Sequence, residues 1–165
     1  ESGDHSADFG AGHGYFTIPM ARAVGGDGKV YAIDIQKAAL DIVRAKARLE
    51  HLLNIEYVRA DLAQPNGSRL KGTFLDFVVV ANILFQVTHV RGLVQEAYRV
   101  LRDGGRWAGL AGAGDGTTGG LQSGPQQDMR GKKDDARWHA LQAGFELDRE
   151  FAAGSHHYGM LFIKK

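Results

Sequence analysis

Apolar residues recur along this chain with two different spacings. In some segments every third or fourth residue is apolar, which indicates an amphipathic helix, and in others short runs of branched and aromatic residues indicate strands. The helical spacing covers residues 15–24, 36–53, 90–101 and 134–143. The strand pattern covers a short run that ends at residue 9, and then residues 29–34, 55–59, 74–81, 106–110, 145–151 and 158–163.

The order of these elements predicts the fold class. Strands and helices alternate, and parallel strands need such crossover connections, so we expect an α/β protein with a parallel sheet and helices on both faces. The last two strands differ, because the short link between them (residues 152–157) forces them to be antiparallel. No repeat and no domain boundary is evident, which predicts a single domain over residues 1–165.

Glycine is the compositional outlier, with 23 of the 165 residues. Ten of these glycines fall between Gly104 and Gly131, and residues 112–131 show no apolar period, which predicts a flexible loop. Of the two tryptophans, we expect Trp107 to lie in the core and Trp138, on the last helix, to pack on the sheet.

Charge and cysteine content exclude several classes of protein. The net charge is +1, from 20 basic and 19 acidic residues, which argues against a nucleic-acid partner. The absence of cysteine excludes disulfides, thiolate metal sites and a cysteine nucleophile. The most apolar stretch, residues 74–87, is too short and too polar to span a bilayer. We therefore expect a cytoplasmic protein with no membrane insertion, and the sequence leaves its oligomeric state open.

A glycine-rich turn, residues 10–14, stands between the first strand and the first helix. Glycines let a ligand approach the main chain, and the start of the next helix attracts a negative group. Asp34 ends the second strand, where a carboxylate can accept both ribose hydroxyls of an adenosine ligand. Asp61 and Asn82 end the third and fourth strands at the same sheet edge. For each of these polar residues, a helix cap or an Asx-turn is the alternative interpretation.

Five segments together resemble the motifs of class I S-adenosylmethionine-dependent methyltransferases, and most closely the small enzymes of quinone-biosynthesis type. They are residues 8–17 (DFGAGHGYFT), 30–35 (VYAIDI), 58–62 (VRADL), 75–82 (LDFVVVAN) and 100–105 (VLRDGG). The resemblance implies a Rossmann-like seven-stranded sheet in the order 3-2-1-4-5-7-6 with strand 7 antiparallel, and S-adenosyl-L-methionine as the cofactor. The first strand is shorter and more polar than in that family, so we expect an N-terminal cap to be missing.

The resemblance also implies a set of cofactor-binding residues. The glycine turn would approach the methionine part, Asp8 its amino group, Asp34 the ribose, and Asp61 with Leu62 the adenine. Asn82 would lie beside the methionine part and face the acceptor. The full implied set is Asp8, Gly10, Ala11, Gly12, Gly14, Asp34, Ile35, Asp61, Leu62 and Asn82.

A candidate catalytic group lies in the link between the last two strands. The sixth strand is expected to be parallel to the first five, which places the link at the cofactor edge. His156 or His157 could act as a general base or orient the acceptor, with Tyr158 beside them, because histidine titrates near neutral pH. The alternative is an exposed turn with two incidental histidines. His89 is a second candidate base, and no ligand spacing supports a metal site.

The sequence therefore predicts methyl transfer to a small-molecule acceptor by in-line displacement. Asn82 is followed by Ile-Leu-Phe and lacks the Asn-Pro-Pro-aromatic set, which argues against methylation of nucleic-acid bases. A non-catalytic cofactor-binding or interaction module with the same fold is the first alternative. The second is a dinucleotide-dependent oxidoreductase, against which the G-x-G-x-G spacing and the antiparallel last strand both count.

Overall fold

The computed structural model describes residues 1–81, 90–112, 127–152 and 157–165, without the side chains of 111–112, 127–133 and 157–158. This part of the chain forms seven strands and four helices, which alternate except where β4 follows β3 and β7 follows β6. The strands are β1 (His5–Phe9), β2 (Lys29–Asp34), β3 (Ile55–Arg59), β4 (Leu75–Ala81), β5 (Leu101–Gly112), β6 (Phe145–Ala152) and β7 (His157–Lys164). The helices are α1 (Thr17–Val24), α2 (Lys37–Leu49), α3 (Val90–Val100) and α4 (Gln127–Ala143).

All seven strands form one sheet in the order β3-β2-β1-β4-β5-β7-β6. Strand β1 lies between two parallel neighbours, since Ala7 pairs with Tyr31 of β2 and with Val78 of β4. Strand β7 runs antiparallel to both β5 and β6. The α/β class, the strand order and the antiparallel seventh strand predicted from the sequence are therefore confirmed.

Apart from Asp76 near its start, strand β4 is apolar, and apolar clusters cover both of its faces. Val78 and Val80 belong to the main cluster, which includes residues of α3 and α4. Val79 and Ala81 belong to a second cluster on the opposite face, together with Phe16. This packing on both faces holds β4 in the middle of the sheet and fixes the position of its carboxyl end.

Trp107 lies in the main core, as predicted. Its ring is fully buried, stacks on Phe162 of β7 with 4.8 Å between the ring centroids, and lies 5.3 Å from the ring of Phe145. The three rings join β5, β6 and β7 on one face of the sheet. This aromatic group anchors the antiparallel end of the sheet against α4.

Helix α4 differs from the sequence-based predictions in two respects, its starting residue and the orientation of Trp138. The prediction of a loop over all of residues 112–131 is wrong, because Gly112 ends β5 and residues 127–131 belong to α4, which begins at Gln127. Residues 113–126 lie outside the described residues. The first turns carry polar residues almost exclusively, and an apolar period cannot reveal a helix of that kind.

Trp138 does not pack on the sheet, because 56% of its surface is exposed. The residues of α4 that face the core are Ala136 and Ala140, both fully buried. A residue two positions from each of them points to the other side of the helix. Helix α2 ends at Leu49, which is 82% exposed, rather than at residue 53 as the apolar spacing predicts.

Candidate functional site

The carboxyl ends of β3, β2, β1 and β4 lie side by side, because these neighbouring strands are parallel. In the sheet register Phe9 is opposite both Ile33 and Val80, and Asp34 is opposite Arg59. The segments that follow β1, β2 and β3 therefore begin at one edge of the sheet, where β4 also ends. Open α/β sheets bind ligands at this edge, where loops diverge on either side of a switch in strand order.

The glycine loop between β1 and α1 is tied to the end of β2. The backbone N–H groups of Gly10 and Ala11 both donate to the carbonyl oxygen of Ile33, each at 2.9 Å. Gly14 donates to the carbonyl of Ala11 at 2.8 Å and has φ of 83°, a backbone conformation that favours glycine. The loop therefore forms a compact turn whose backbone is free of side chains at alternate positions.

Asp34 clamps this loop from the neighbouring strand. One carboxylate oxygen, Oδ2, accepts the N–H of Gly12 at 2.9 Å, and the other, Oδ1, accepts the N–H of Gln36 at 2.8 Å. Each carboxylate oxygen has two lone pairs, so one acceptor position on each remains for a ligand hydroxyl. Asp34 is thus oriented by the backbone on both sides while keeping the capacity to accept a vicinal diol.

Asp8 lies beneath the glycine loop and is only 1% exposed. The hydroxyl of Thr17, the first residue of α1, donates to Asp8 Oδ2 at 2.6 Å. Burial raises the pKa of Asp8 to about 6, although the hydrogen bonds from Thr17 oppose this change and the charge of Asp34 adds to it. A cationic group brought to this position would favour the ionised carboxylate.

Asp61 forms a turn directly after β3. Its Oδ1 accepts the N–H of Ala63 at 2.9 Å, and its Oδ2 accepts the side-chain amide of Gln64 at 3.3 Å. The Asx-turn considered as the alternative for this residue is therefore present. It orients the carboxylate, and each oxygen keeps a second acceptor position for a ligand. Leu62 is 8% exposed, whereas Ile35, the residue that follows β2, is 56% exposed.

The predicted catalytic residues lie only partly within the described residues. His157 and Tyr158 are the first residues of β7, and their backbones pair with Gly112 and Ala111 at the carboxyl end of β5. This register puts the start of β7 at the same sheet edge as the glycine loop, as the sequence predicts. His156, Asn82 and His89 lie outside the described residues, as do the side chains of His157 and Tyr158.

Several residues that shape this edge were not singled out by the sequence. Thr17 holds Asp8, Lys46 of α2 donates to the carbonyl of His13 in the glycine loop at 2.7 Å, and Glu96 binds the connection between β3 and β4. A hydroxyl at the start of a helix and a carboxylate on the apolar side of α3 are signals that could have identified Thr17 and Glu96. His13 itself is exposed.

Neither a cluster of metal-binding side chains nor a membrane-spanning helix is present among the described residues. No group of three or more His, Asp or Glu side chains in the described ranges lies close enough to hold a metal ion. Within the same ranges, no helix combines the length and apolarity needed to cross a bilayer.

The residues of this edge fit an adenosine ligand that carries an amino acid. A double-acceptor carboxylate suits a ribose, and an exposed apolar side chain at Ile35 offers a surface for a flat base. A buried carboxylate at Asp8 offers a counter-charge for an ammonium group. The seven-stranded sheet above which these groups lie has the fold of a class I methyltransferase domain.

Comparison with known proteins identifies the family. The family model of the methyltransferase domain matches residues 7–105, and the chain belongs to that family. Its sequence is 33% identical over 100 residues to the demethylmenaquinone methyltransferase of Lactococcus lactis, covering 60% of this chain and 38% of that protein. It is 30% identical over 105 residues to the ubiquinone/menaquinone biosynthesis C-methyltransferase of Vibrio campbellii, covering 63% of this chain and 39% of that protein.

A solved structure supports the same fold. The S-adenosylmethionine-dependent methyltransferase of Aquifex aeolicus superposes with a TM-score of 0.82 at 21% identity, covering all of this chain and 84% of the other. The chain spans less than half the length of the curated relatives named above. The methyltransferase family is thus as the sequence predicted.

Proposed function

We propose that this chain transfers the methyl group of S-adenosylmethionine to a small-molecule acceptor by in-line displacement. The observation that carries the proposal is the orientation of Asp34 by two backbone N–H groups beside the glycine loop, within a chain of the methyltransferase family. A cytoplasmic location belongs to the same proposal, and fractionation of cells that produce the full-length protein tests it.

Each part of the cofactor has a proposed partner at the sheet edge. Asp34 accepts the ribose hydroxyls, and Ile35 covers one face of the adenine. Asp61 and Leu62 contact the edge of the adenine, and Asp8 balances the ammonium group. The remaining residues of the proposed set approach the methionine part and are Gly10, Ala11, Gly12, Gly14 and Asn82.

The bound cofactor supplies a methyl group on a positively charged sulfur. The acceptor atom attacks the methyl carbon from the side opposite the sulfur, the carbon–sulfur bond breaks, and its electron pair stays on the sulfur of the thioether product. Holding the two reactants in line lowers the activation barrier, because their translational and rotational entropy is lost on binding and not in the chemical step. A protein base is needed where the acceptor must also lose a proton.

The start of β7 is the proposed source of that base. His157 pairs along the backbone with the end of β5, one strand beyond β4, on the side of the glycine loop where an acceptor would approach. We assign the base or the orienting group to His156 or His157, with Tyr158 beside them. Loss of turnover in His156→Ala or His157→Ala, with cofactor affinity unchanged, supports this assignment, and full activity in both variants contradicts it.

The acceptor is proposed to be small and ring-shaped rather than a nucleic acid. Two relatives are named for methylation in quinone biosynthesis, and a net charge of +1 gives the chain no general attraction to phosphate. A quinone-type ring with an unmethylated carbon is therefore the first acceptor to assay. A non-catalytic module is the competing function, and it predicts cofactor binding with no methylated product from any acceptor.

Calorimetric titration tests the proposal directly. We expect S-adenosylmethionine and S-adenosylhomocysteine to bind, and Asp34→Ala to abolish the binding of both. Asp41→Ala is the matched control, because Asp41 is an exposed carboxylate on α2 that pairs with Lys37 and Arg44 on the same helix. Failure of the unaltered chain to bind either compound would refute the proposed cofactor site.

A further inference from the structure

A buried carboxylate on α3 holds the connection between β3 and β4. Glu96 is 4% exposed, and its Oε1 accepts the backbone N–H of Ser68 at 3.0 Å as well as the Ser68 hydroxyl. Arg99, one turn along α3, donates to both Glu96 oxygens, at 2.7 and 2.8 Å, and to the carbonyl of Leu70 at 2.8 Å. The backbone at residues 68–70 is thereby fixed to the helix by a fully paired carboxylate.

The segment held by Glu96 packs directly on the turn formed by Asp61. A Cβ at Gly67, the neighbour of Ser68, would overlap the carbonyl oxygen of Asp61 and lie 2.7 Å from that of Gln64. Backbone therefore touches backbone at this point, and no side chain fits between the two segments. A displacement of Ser68 is passed to Asp61 without a flexible side chain to absorb it.

Helix α3 also supports the other side of the same turn. A Cβ on Gly92, in the first turn of α3, would lie 3.8 Å from the carbonyl oxygen of Ala63. Leu62 belongs to the same buried apolar cluster as Leu93. The turn after β3 therefore rests on α3 at Gly92 and is held through Ser68 at Glu96, one helical turn further on.

The charge of Glu96 requires an explanation, because an apolar residue would fill its place on α3 at lower cost. Burial opposes its ionisation, but hydrogen bonds from Arg99 and Ser68 outweigh burial and hold the pKa of Glu96 below its ordinary value. An ionised acceptor with four donors fixes a geometry more strictly than apolar packing does. A strict geometry is useful where a nearby group has to recognise a ligand.

We propose that Glu96 is a positioning residue for adenine recognition, which acts through Ser68 to hold the carboxylate of Asp61 where the adenine amino group can donate to it. The inference rests on the cofactor site proposed above. Adenine carries an amino group at C6, whereas hypoxanthine carries a carbonyl oxygen there, which a fixed carboxylate repels. A well-held Asp61 therefore discriminates between the two bases, and a loosely held Asp61 does so less well.

The experiment measures the affinities of S-adenosylhomocysteine and of its hypoxanthine analogue, S-inosylhomocysteine. Glu96→Gln removes one acceptor oxygen from Arg99, and Ser68→Ala removes one donor to Glu96 without changing any charge. Glu50→Gln is the control, since Glu50 pairs with Arg22 away from this turn. We expect the preference for adenine to fall by about three- to tenfold in both test variants, in line with the loss of one hydrogen bond, and to be unchanged in the control.

The ratio of the two affinities separates positioning from folding. A purely structural weakening lowers both affinities by the same factor, so an unchanged ratio in folded Glu96→Gln and Ser68→Ala overturns the proposal. If Glu96→Gln does not fold, the ratio in Ser68→Ala decides alone. If the unaltered chain binds neither compound, both the cofactor site and the role of Glu96 are refuted. If the unaltered chain binds and the ratio in the variants equals its own, only the role of Glu96 is refuted.

Discussion

Thr17 and Asp8 are joined by a short hydrogen bond, with 2.6 Å between Thr17 Oγ1 and Asp8 Oδ2, at the point where β1 passes into the glycine loop. The bond connects the first turn of α1 to the strand end beneath it. The carboxylate is almost fully buried, and the pKa of Asp8 is raised to about 6 from an ordinary value of 3.8. Its ionisation is therefore linked both to stability and to any cation that binds above it.

The first prediction concerns the pH dependence of stability. The folded carboxyl binds its proton more tightly than the unfolded one, so the free energy of unfolding falls as pH rises from about 4 to 6 and then levels off, by about 3 kcal/mol for this group. The side chain of Asp8→Asn does not ionise, so the variant should not show this fall in the free energy of unfolding. Chemical unfolding should show the variant gaining stability at pH 7.5 relative to the parent, with little gain at pH 4.

The same variant should bind S-adenosylhomocysteine more weakly at pH 7.5, because the ammonium group loses its counter-charge. Thr17→Ser keeps the hydroxyl donor and is the control, whereas Thr17→Val should raise the pKa of Asp8 further. Equal stability gains for Asp8→Asn at pH 4 and at pH 7.5 would contradict the prediction, because they would show that folding does not raise the pKa of Asp8.

A second prediction tests the close approach of α2 to the glycine loop. A Cβ on Gly14 would lie 3.2 Å from both Cγ atoms of Val43, and the φ of Gly14 is 83°. Gly14→Ala should therefore destabilise the fold by about 1–3 kcal/mol. Gly26→Ala, where nothing lies within 4 Å, should have a much smaller effect on thermal unfolding. Partial rescue of Gly14→Ala by Val43→Ala would assign part of the cost to the methyl contact.

A third prediction concerns the hydrogen bond from Lys46 Nζ to the carbonyl of His13, which is 2.7 Å long. Lys46→Met keeps most of the side-chain length but removes the donor, so the glycine loop should become less ordered. We expect the affinity for S-adenosylhomocysteine to fall by about two- to fivefold, the effect of one exposed hydrogen bond. Lys37→Met, on the same helix but paired with Asp41, should leave the affinity unchanged.

A fourth prediction concerns the opposite edge of the sheet. Asp76 accepts the N–H of His5 at 2.8 Å and the Nε of Arg102 at 2.6 Å. Burial opposes ionisation, but these two donors outweigh it and lower the pKa of Asp76. Its stabilising effect is thus present near neutral pH and is lost as the pH falls through this lowered pKa.

Asp76→Asn should lower the free energy of unfolding by about 1–2 kcal/mol at pH 7, with a smaller difference from the parent in acid. Asp41→Asn is the control, because Asp41 is an exposed partner of Lys37 and such pairs contribute little. A loss for Asp76→Asn that persists undiminished below pH 3 would indicate a steric rather than an electrostatic cause.

The sequence predicts the sheet well because alternation of strands and helices has few topological solutions. It predicts the ends of β2 and β3 to the residue, and the polar groups at the sheet edge with them. It does not predict the start of α4, whose first turns lack an apolar face, or the exposure of Trp138. A single apolar residue on a helix that carries both polar and apolar residues does not show which face of the helix is buried. The orientation of Trp138 therefore depends on which of its neighbours on α4 face the core.

Within the candidate site, the sequence identifies residue types but not their hydrogen bonds. Asp34 and Asp61 follow from their positions at strand ends, yet their backbone donors depend on turns that no spacing specifies. The roles of Thr17 and Glu96 depend on contacts between elements distant in the chain, such as that between Ser68 and Glu96. The catalytic assignment to His156 and His157, and the single-domain assignment, remain predictions.

The stack of Trp107 on Phe162 has a spectroscopic consequence. The two indoles of the chain have opposite environments: Trp107 of β5 is fully buried against Phe162 of β7, and Trp138 on α4 is more than half exposed. Trp107 and Trp138 therefore emit at different wavelengths, and a dissolved quencher such as iodide reaches only Trp138. The blue-shifted, unquenched part of the emission reports directly whether the last strand has joined the sheet, without any label.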